Sequence, residues 1–493
     1  MGVDVEGFKE RHEEWKERQL ITCTNIDDLH KLYRKWLYIE DNDLDFIDVG
    51  LACSMDREIP GDPAWLYLIA PSGGLKSELI RCLSTFSKAY TLDTLTTATF
   101  ISGLTQRNKE TGELEPVGGL LKKMDGHCVM IKDFTTILKT NDDNRNELYG
   151  QLRSIYDGYY ERGVGTLPEP IRVVSSIGLV VGVTPVIDKY TLMASTLGER
   201  FLKIRSNPDR IKATTKAIEN EGNEKTMREE LSIGTRSFFE SRNFDYMPDF
   251  TPEQNTHLIN MGMYVGIMRA NVWKTYENGR VVDMDIMGSE VPTRITKQLK
   301  HLVKLLCIVR GKDTVTDAEL ATASRVARDT AEPKSQSIVE THLTLYGADN
   351  PAHIGDIGQA APGVSPSTAR NNLTILEALG AVIIEEDGMY RFTPSFSNYM
   401  LSIFKKYNEE EGVPIPPESY QTNPEKRLLD LTKKEQIDTV YAYIFDNKEI
   451  KEVKETDIIL DFEIELSELR TYLKILERDD MVFSPRPGLW KPK

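Results

Sequence analysis

The octet Ala70-Pro71-Ser72-Gly73-Gly74-Leu75-Lys76-Ser77 is the stretch of this sequence best suited to hold a phosphate. Small residues let successive backbone N–H groups curl round an anion, and a following helix adds the partial positive charge of its N-terminus. Lys76 would reach the outer phosphates of a nucleotide, the Ser77 hydroxyl would ligate Mg²⁺, and Glu78 completes the segment. Measured against G-x-x-x-x-G-K-[ST], Ala70 stands at the first glycine and Leu75 at the last. A Cβ at Leu75 predicts a restricted loop, with Gly73 and Gly74 supplying the flexibility. An ordinary strand–turn–helix junction is the plain alternative.

Downstream residues extend the set. Val129-Met130-Ile131 runs into Lys132-Asp133-Phe134, where a phosphate-processing strand ordinarily ends in two carboxylates. One holds Mg²⁺ and the other orients the attacking water, so Asp133 would do part of both jobs. Thr184, after the apolar run Ile177–Val183, can touch a γ-phosphate or the lytic water. Arg200 suits an arginine finger aimed at a neighbouring subunit's nucleotide, and Arg294, opening a later helix, is a second such sensor. For an isolated arginine the common alternative is a surface salt bridge.

These residues need elements to position them. Residues 1–62 read as a helical lead-in, from FKERHEEWKERQL and IDDLHKLYRKWLYI, ending at Pro60-Gly61-Asp62-Pro63. Trp65–Ala70, His127–Ile131, Ile177–Val183 and Arg200–Ile204 read as buried strands, with a helix over Lys76–Tyr90. Strand and helix alternating over 63–205 predict an α/β core with a parallel sheet. Residues 206–332 read as a helical lid, including Arg294–Gly311 and a helix from Asp317 capped by Thr316. Two similar modules follow at 333–402 and 432–493, joined by a polar linker over 403–431.

The order of these parts resembles AAA+ ATPases, most closely the minichromosome-maintenance helicase branch, over residues 64–330. Thr97-Ala98-Thr99-Phe100 through Gly118-Gly119-Leu120, Ile131-Lys132-Asp133-Phe134, Asn144 through Leu167, Arg200-Phe201 and Arg294–Asp329 carry the similarity. The resemblance implies an α/β P-loop NTPase core with a helical lid; beyond it, Ile354–Ala361, Ser365–Leu379 and Val382–Phe392 fit a winged helix, and the pattern recurs in the second module. The resemblance also implies ATP and Mg²⁺ as cofactors and a homo-oligomeric ring, a hexamer above all, with ATP between subunits. Lys76, Ser77 and Asp133 would then act in cis and Arg200 in trans. Segments Arg107–Glu113 and Arg162–Thr166 would be pore-facing loops. On that alignment Lys132 takes the place of the metal-binding aspartate and Asp133 that of the catalytic glutamate. The expected function is a DNA-engaged, helicase-like ATPase. The alternative is a nucleotide-gated DNA- or protein-binding switch with little hydrolysis. The chain looks like a divergent mobile-element or prokaryotic relative.

In the first module Ser365-Pro366 caps a helix that presents Thr368, Arg370 and Asn371, side chains able to meet bases or phosphates. Acid outweighs base there, which suits a protein partner equally. The second module offers Arg470 and Lys474 at helical spacing. The net charge of −16 over 493 residues excludes indiscriminate coating of nucleic acid. Five scattered cysteines predict neither a disulfide framework nor a zinc cluster, and fit a reducing cytoplasm. The charged opening stretch and the lack of long apolar runs predict no signal peptide and no membrane span.

Overall fold

The computed structural model describes residues 22–404, apart from short stretches (74, 103, 108–113, 166, 168, 191–199, 271, 278–279, 287–290 and 386). Beyond residue 452 it describes only 453–454, 469–470, 472–473, 482–486 and 489–492. The chain divides into two compact units, 1–415 and 416–493.

Four largely apolar runs and a half-exposed edge strand form the central sheet: β1 (Trp65–Ile69), the edge strand β2 (Ala89–Leu92), β5 (Cys128–Ile131), β8 (Gly178–Val183) and β9 (Phe201–Arg205). Their order is β2-β5-β8-β1-β9 and every pairing is parallel. A sheet covered on both faces needs apolar residues at consecutive positions, which is why these runs lack alternation. Leu66, Leu68, Met130, Val180, Leu202 and Ile204 enter one core, while Trp65, Tyr67, Ile69, Val129, Ile131, Val181 and Phe201 enter the other. The first core lies under α2 (Asp41–Ser54) and α3 (Lys76–Leu83), and it holds Leu79, Ile80 and Leu83. The second lies under α6 (Asp142–Tyr156) through Leu148, Leu152 and Ile155.

The lead-in is part of the first core and not an appendage. Leu29 and Tyr33 of α1 (Ile26–Trp36), and Phe46, Ile47 and Val49 of α2, are buried in it. FKERHEEWKERQL falls outside the described residues. The helix expected over Lys76–Tyr90 stops at Leu83. Ser84 and Thr85 turn their hydroxyls onto the carbonyls of Ile80 and Cys82, which ends the helix and frees residues 89–92 to pair with β5.

Two antiparallel hairpins interrupt the α/β alternation: β3 (Leu104–Arg107) with β4 (Leu114–Val117), and β6 (Tyr159–Arg162) with β7 (Ile171–Val174). The loop expectations at Arg107–Glu113 and Arg162–Thr166 fall at their turns. Residues 108–113 lie outside the described residues. Arg162 is committed inward, donating to the carbonyls of Thr97 (3.2 Å) and Ile101 (2.7 Å).

The lid comprises α7 (Arg210–Glu219), α8 (Glu224–Glu240), α9 (Pro252–Met268), α10 (Thr293–Arg310) and α11 (Asp317–Thr330). It is not wholly helical: β10 (Val272–Glu277) and β11 (Arg280–Ile286) form a hairpin between α9 and α10. Gly311 ends α10 in the left-handed conformation, φ 62°. A capping box through Thr316 and Glu319 starts α11.

α12 (Pro333–Tyr346), β12 (Ala352–His353), α13 (Ile354–Ala360), α14 (Pro366–Ala378), β13 (Val382–Ile384), β14 (Met389–Phe392) and α15 (Pro394–Ile403) complete the first unit. Their three strands are ordered β12-β14-β13, all antiparallel. This module shares the lid's core: Tyr264 of α9 stacks on Phe396 of α15 at 5.6 Å. In the second unit β15 (Val453–Lys454), β16 (Val482–Arg486) and β17 (Leu489–Pro492) take the matching order β15-β17-β16. No described helix is long and apolar enough to cross a membrane.

Candidate phosphate-binding site

Because all five strands are parallel, the segments that leave β1, β5 and β8 emerge along one edge of the sheet. That edge is where α/β proteins bind ligands. The loop 70–77 leaves β1 there and leads directly into α3. Gly73 takes φ 79° and would meet nothing within 4 Å if it carried a Cβ, so its role is the left-handed turn itself. Leu75 adopts right-handed helical angles (φ −54°, ψ −27°) and buries its side chain in the first core. A glycine is therefore not required at Leu75. Pro71 is half-buried, Ser72 is exposed, and Gly74 lies outside the described residues.

Lys76 is only 5% exposed, and its Nζ donates to the carbonyls of Ala70 (3.3 Å) and Pro71 (3.2 Å). Burial pushes its ammonium below the ordinary value, and the carboxylate of Asp133 opposes that shift. The buried charge is folded back on its own loop, within reach of the space the loop encloses. Ser77 is exposed. Glu78 is engaged away from the loop, accepting from Arg228 of α8 at 3.1 Å.

Asp133, Thr135 and Thr184 meet beside this loop. Asp133 Oδ1 accepts from the Thr135 backbone N–H (2.9 Å), which opens the short helix α5 (Thr135–Leu138). Thr184 N–H donates to Thr135 Oγ1 (3.3 Å), and the two hydroxyls are 3.4 Å apart. The sequence reading missed Thr135; its signal was a hydroxyl two residues beyond the strand-ending carboxylate, the spacing of an Asx-turn. The chain leaving β5 crosses the tip of β8, with Phe134 N–H donating to the Gly182 carbonyl at 2.8 Å. A Cβ at Gly182 would lie 2.5 Å from the Lys132 carbonyl oxygen and 2.8 Å from Ile80 Cδ1. Gly182→Ala is therefore expected to lower stability by about 2–3 kcal/mol, as overpacking against backbone does, read as a lower denaturant midpoint.

Arg200 stands elsewhere. β1 and β9 run in register from Trp65 beside Phe201 to Ile69 beside Arg205, so Arg200 sits at the opposite edge from the loop. A five-residue strand separates them, about 17 Å at the usual rise. Arg200 is 8% exposed, pairs with Asp157 at 3.1 Å, and lies over the Tyr156 ring. Burial first, and then the positive charge of Arg294, push its guanidinium below the ordinary value, against the pull of Asp157. Arg294 accordingly lies on the same side. With Asp62, Tyr156, Asp157 and Lys297 it lines an open cavity of about 530 Å³. The structure thus brings together Lys76, Asp133 and Thr184, and separately Arg200 and Arg294.

No protein-family model matches the chain, and no curated protein sequence matches it.

The loop side offers magnesium few protein ligands, the exposed Ser77 and Asp133 among them. Mg²⁺ takes oxygen ligands in near-ideal octahedral geometry, with one or two carboxylates among them. Of the carboxylates near the loop, Asp133 is already turned onto Thr135 and Glu78 onto Arg228. Among the described residues no group of three or more His, Cys, Asp or Glu side chains could hold a metal ion.

On the C-terminal modules, Ser365 caps α14, accepting from Thr368 N–H at 3.2 Å. Arg370 is exposed, while Thr368 and Asn371 are half-buried. Arg391 on β14 pairs with Glu385 at 3.8 Å. In the second unit Arg470 is exposed on a helical segment beside the buried Leu469 and Tyr472. Lys474 lies outside the described residues.

Proposed function

We propose that this chain binds a nucleoside triphosphate, ATP above all, at the 70–77 loop, and that a second copy completes the site. The separation of two half-sites carries the reading. Lys76, Asp133 and Thr184 occupy one sheet edge and Arg200 with Arg294 the other, too far from the loop to act on a nucleotide held by the same chain. Copies arranged head to tail would set one chain's arginines against the next chain's loop, the heterologous contact from which rings close. The parallel five-stranded sheet and the strand-to-helix loop are what an AAA+ core needs. The order β12-β14-β13 around α13 and α14 supports a winged-helix reading of the module at 333–402. In this reading nucleotide occupancy sets the arrangement of subunits, and the C-terminal modules act on DNA or a protein partner. Arg370 and Asn371 in the first module and Arg470 in the second are the side chains offered to phosphates or bases.

A second reading, an ATP-driven DNA motor, is favoured by one observation: the convergence of Asp133, Thr135 and Thr184, which could orient a lytic water. Steady-state hydrolysis with and without single-stranded and duplex DNA separates the two. Lys76-dependent turnover supports the motor, and its absence leaves the switch.

The binding proposal is tested by Lys76→Ala. Removing a charge-assisted contact to phosphate lowers ATP affinity by about 10–100-fold, while the thermal midpoint stays close to wild type. Equal affinity in the two proteins would end the proposal. Sedimentation with and without ATP reads the assembly, and a monomer under both conditions would leave Arg200 and Arg294 without a partner to serve.

A further inference from the structure

The scarcity of magnesium ligands on the loop side has a positive counterpart in Lys132. Along the sheet, Met130 and Val180 face the α3 side, while Val129, Ile131, Val181 and Val183 face the other. Gly182 belongs to the α3 side, because a Cβ there would press on Ile80 of α3. The Lys132 carbonyl lies 2.5 Å from that same Cβ position, so Lys132 sits between the tip of β8 and α3. Lys76 and Ser77 precede Ile80 by four and three residues. They share its helix face, about 5 Å nearer the phosphate loop. A lysine stem spans that turn. Lys132 is half-buried and makes no ion pair or hydrogen bond among the described residues. Its side chain thus leaves the strand on the face of the sheet that carries Lys76 and Ser77, from a position where a metal-binding site would place a carboxylate.

We propose that Lys132 supplies the second positive charge to the bound phosphates in place of a divalent metal, so that this site takes a nucleoside triphosphate free of Mg²⁺. An ammonium offers three donors and a compact charge to phosphate oxygens. The same charge repels Mg²⁺ from the Ser77 hydroxyl. Lys76 then reaches the phosphates from the loop and Lys132 from the strand, and Asp133 is left to order Thr135. No bond is made or broken in this step.

The inference rests on the proposed nucleotide site, and one titration distinguishes the failure of each. ATP binding to the full chain is measured calorimetrically, once with excess Mg²⁺ and once with excess EDTA. Wild type is expected to bind as tightly in EDTA as in Mg²⁺. Lys132→Met, which keeps the stem and loses the charge, is expected to lose about tenfold in EDTA. Lys132→Asp puts a carboxylate on the face that carries Ser77 and is expected to bind only with Mg²⁺, a gained requirement that misfolding cannot imitate. If wild type loses ATP in EDTA and regains it with Mg²⁺, the lysine's role is overturned while the nucleotide site stands. If wild type binds ATP under neither condition, both are overturned.

Discussion

Asp56→Ala is expected to destabilise the first unit by about 3–5 kcal/mol, the loss seen when one partner is removed from a buried ion pair. Asp56 is fully buried at the end of α2. It accepts from Arg57 Nε (3.0 Å), from the Ala64 backbone N–H (3.0 Å) just ahead of β1, and from His301 Nε2 of α10 (2.7 Å). Burial alone would raise its carboxyl. The His301 hydrogen bond and the Arg57 charge outweigh that and hold it below the usual value. The alanine variant takes the carboxylate away from a nearly buried guanidinium and a buried imidazole. It also cuts a residue that joins the lead-in, the start of the first strand and the lid. Asp56→Asn keeps the shape and part of the acceptor, so it should fall between wild type and alanine in urea unfolding. A loss under about 1 kcal/mol for Asp56→Ala, the range of an exposed pair, would mean the cluster is not what binds the lid to the core.

The same cluster shows why part of this fold was readable and part was not. The strands declared themselves through WLYLI, CVMI and GLVVGV, because a parallel sheet covered on both faces demands uninterrupted apolar runs. Capping also declared itself at Thr316 and at Ser365-Pro366, since those signals are local. Asp56 gave no signal, because its partners lie up to 245 positions away. The hairpin β10–β11 did carry a local sign, Asn278-Gly279 between alternating residues, and a helical expectation for the whole lid overrode it. Within the site, Lys76, Asp133 and Thr184 could be grouped because residues that follow parallel strands share an edge. The pairing of Arg200 with Arg294 depends on how the lid folds back on the sheet, which spacing does not encode. Leu75 is the converse case. A glycine position in the motif turned out to have helical angles, while Gly73, two residues earlier, carries the positive φ.

Acidification should expose a second buried group. His342 of α12 is fully buried against the Phe392 ring at 4.2 Å, with Nδ1 2.9 Å from the Tyr390 hydroxyl and Nε2 3.1 Å from the Asn350 carbonyl. Burial pushes its imidazole down from 6.5 to about 4. In the unfolded chain the ring takes up a proton as pH falls through 6.5, while in the folded chain it stays neutral until about 4. Proton uptake by the unfolded state alone drains stability across that window, by about 3 kcal/mol in total. Glu340, whose carboxyl burial raises, works in the opposite direction on acidification, so wild type alone does not isolate the histidine. Asp56, with its depressed carboxyl, begins to lose its share only at the foot of this window, as pH nears 3.8, and does so equally in both proteins. The comparison is therefore with His342→Gln, which keeps a donor and an acceptor and does not titrate. Between pH 6.5 and 4, wild type is expected to lose about 3 kcal/mol more than the variant, whatever the variant's stability at neutral pH. Parallel urea midpoints across the window would show that the imidazole is protonated as readily in the folded chain as out of it.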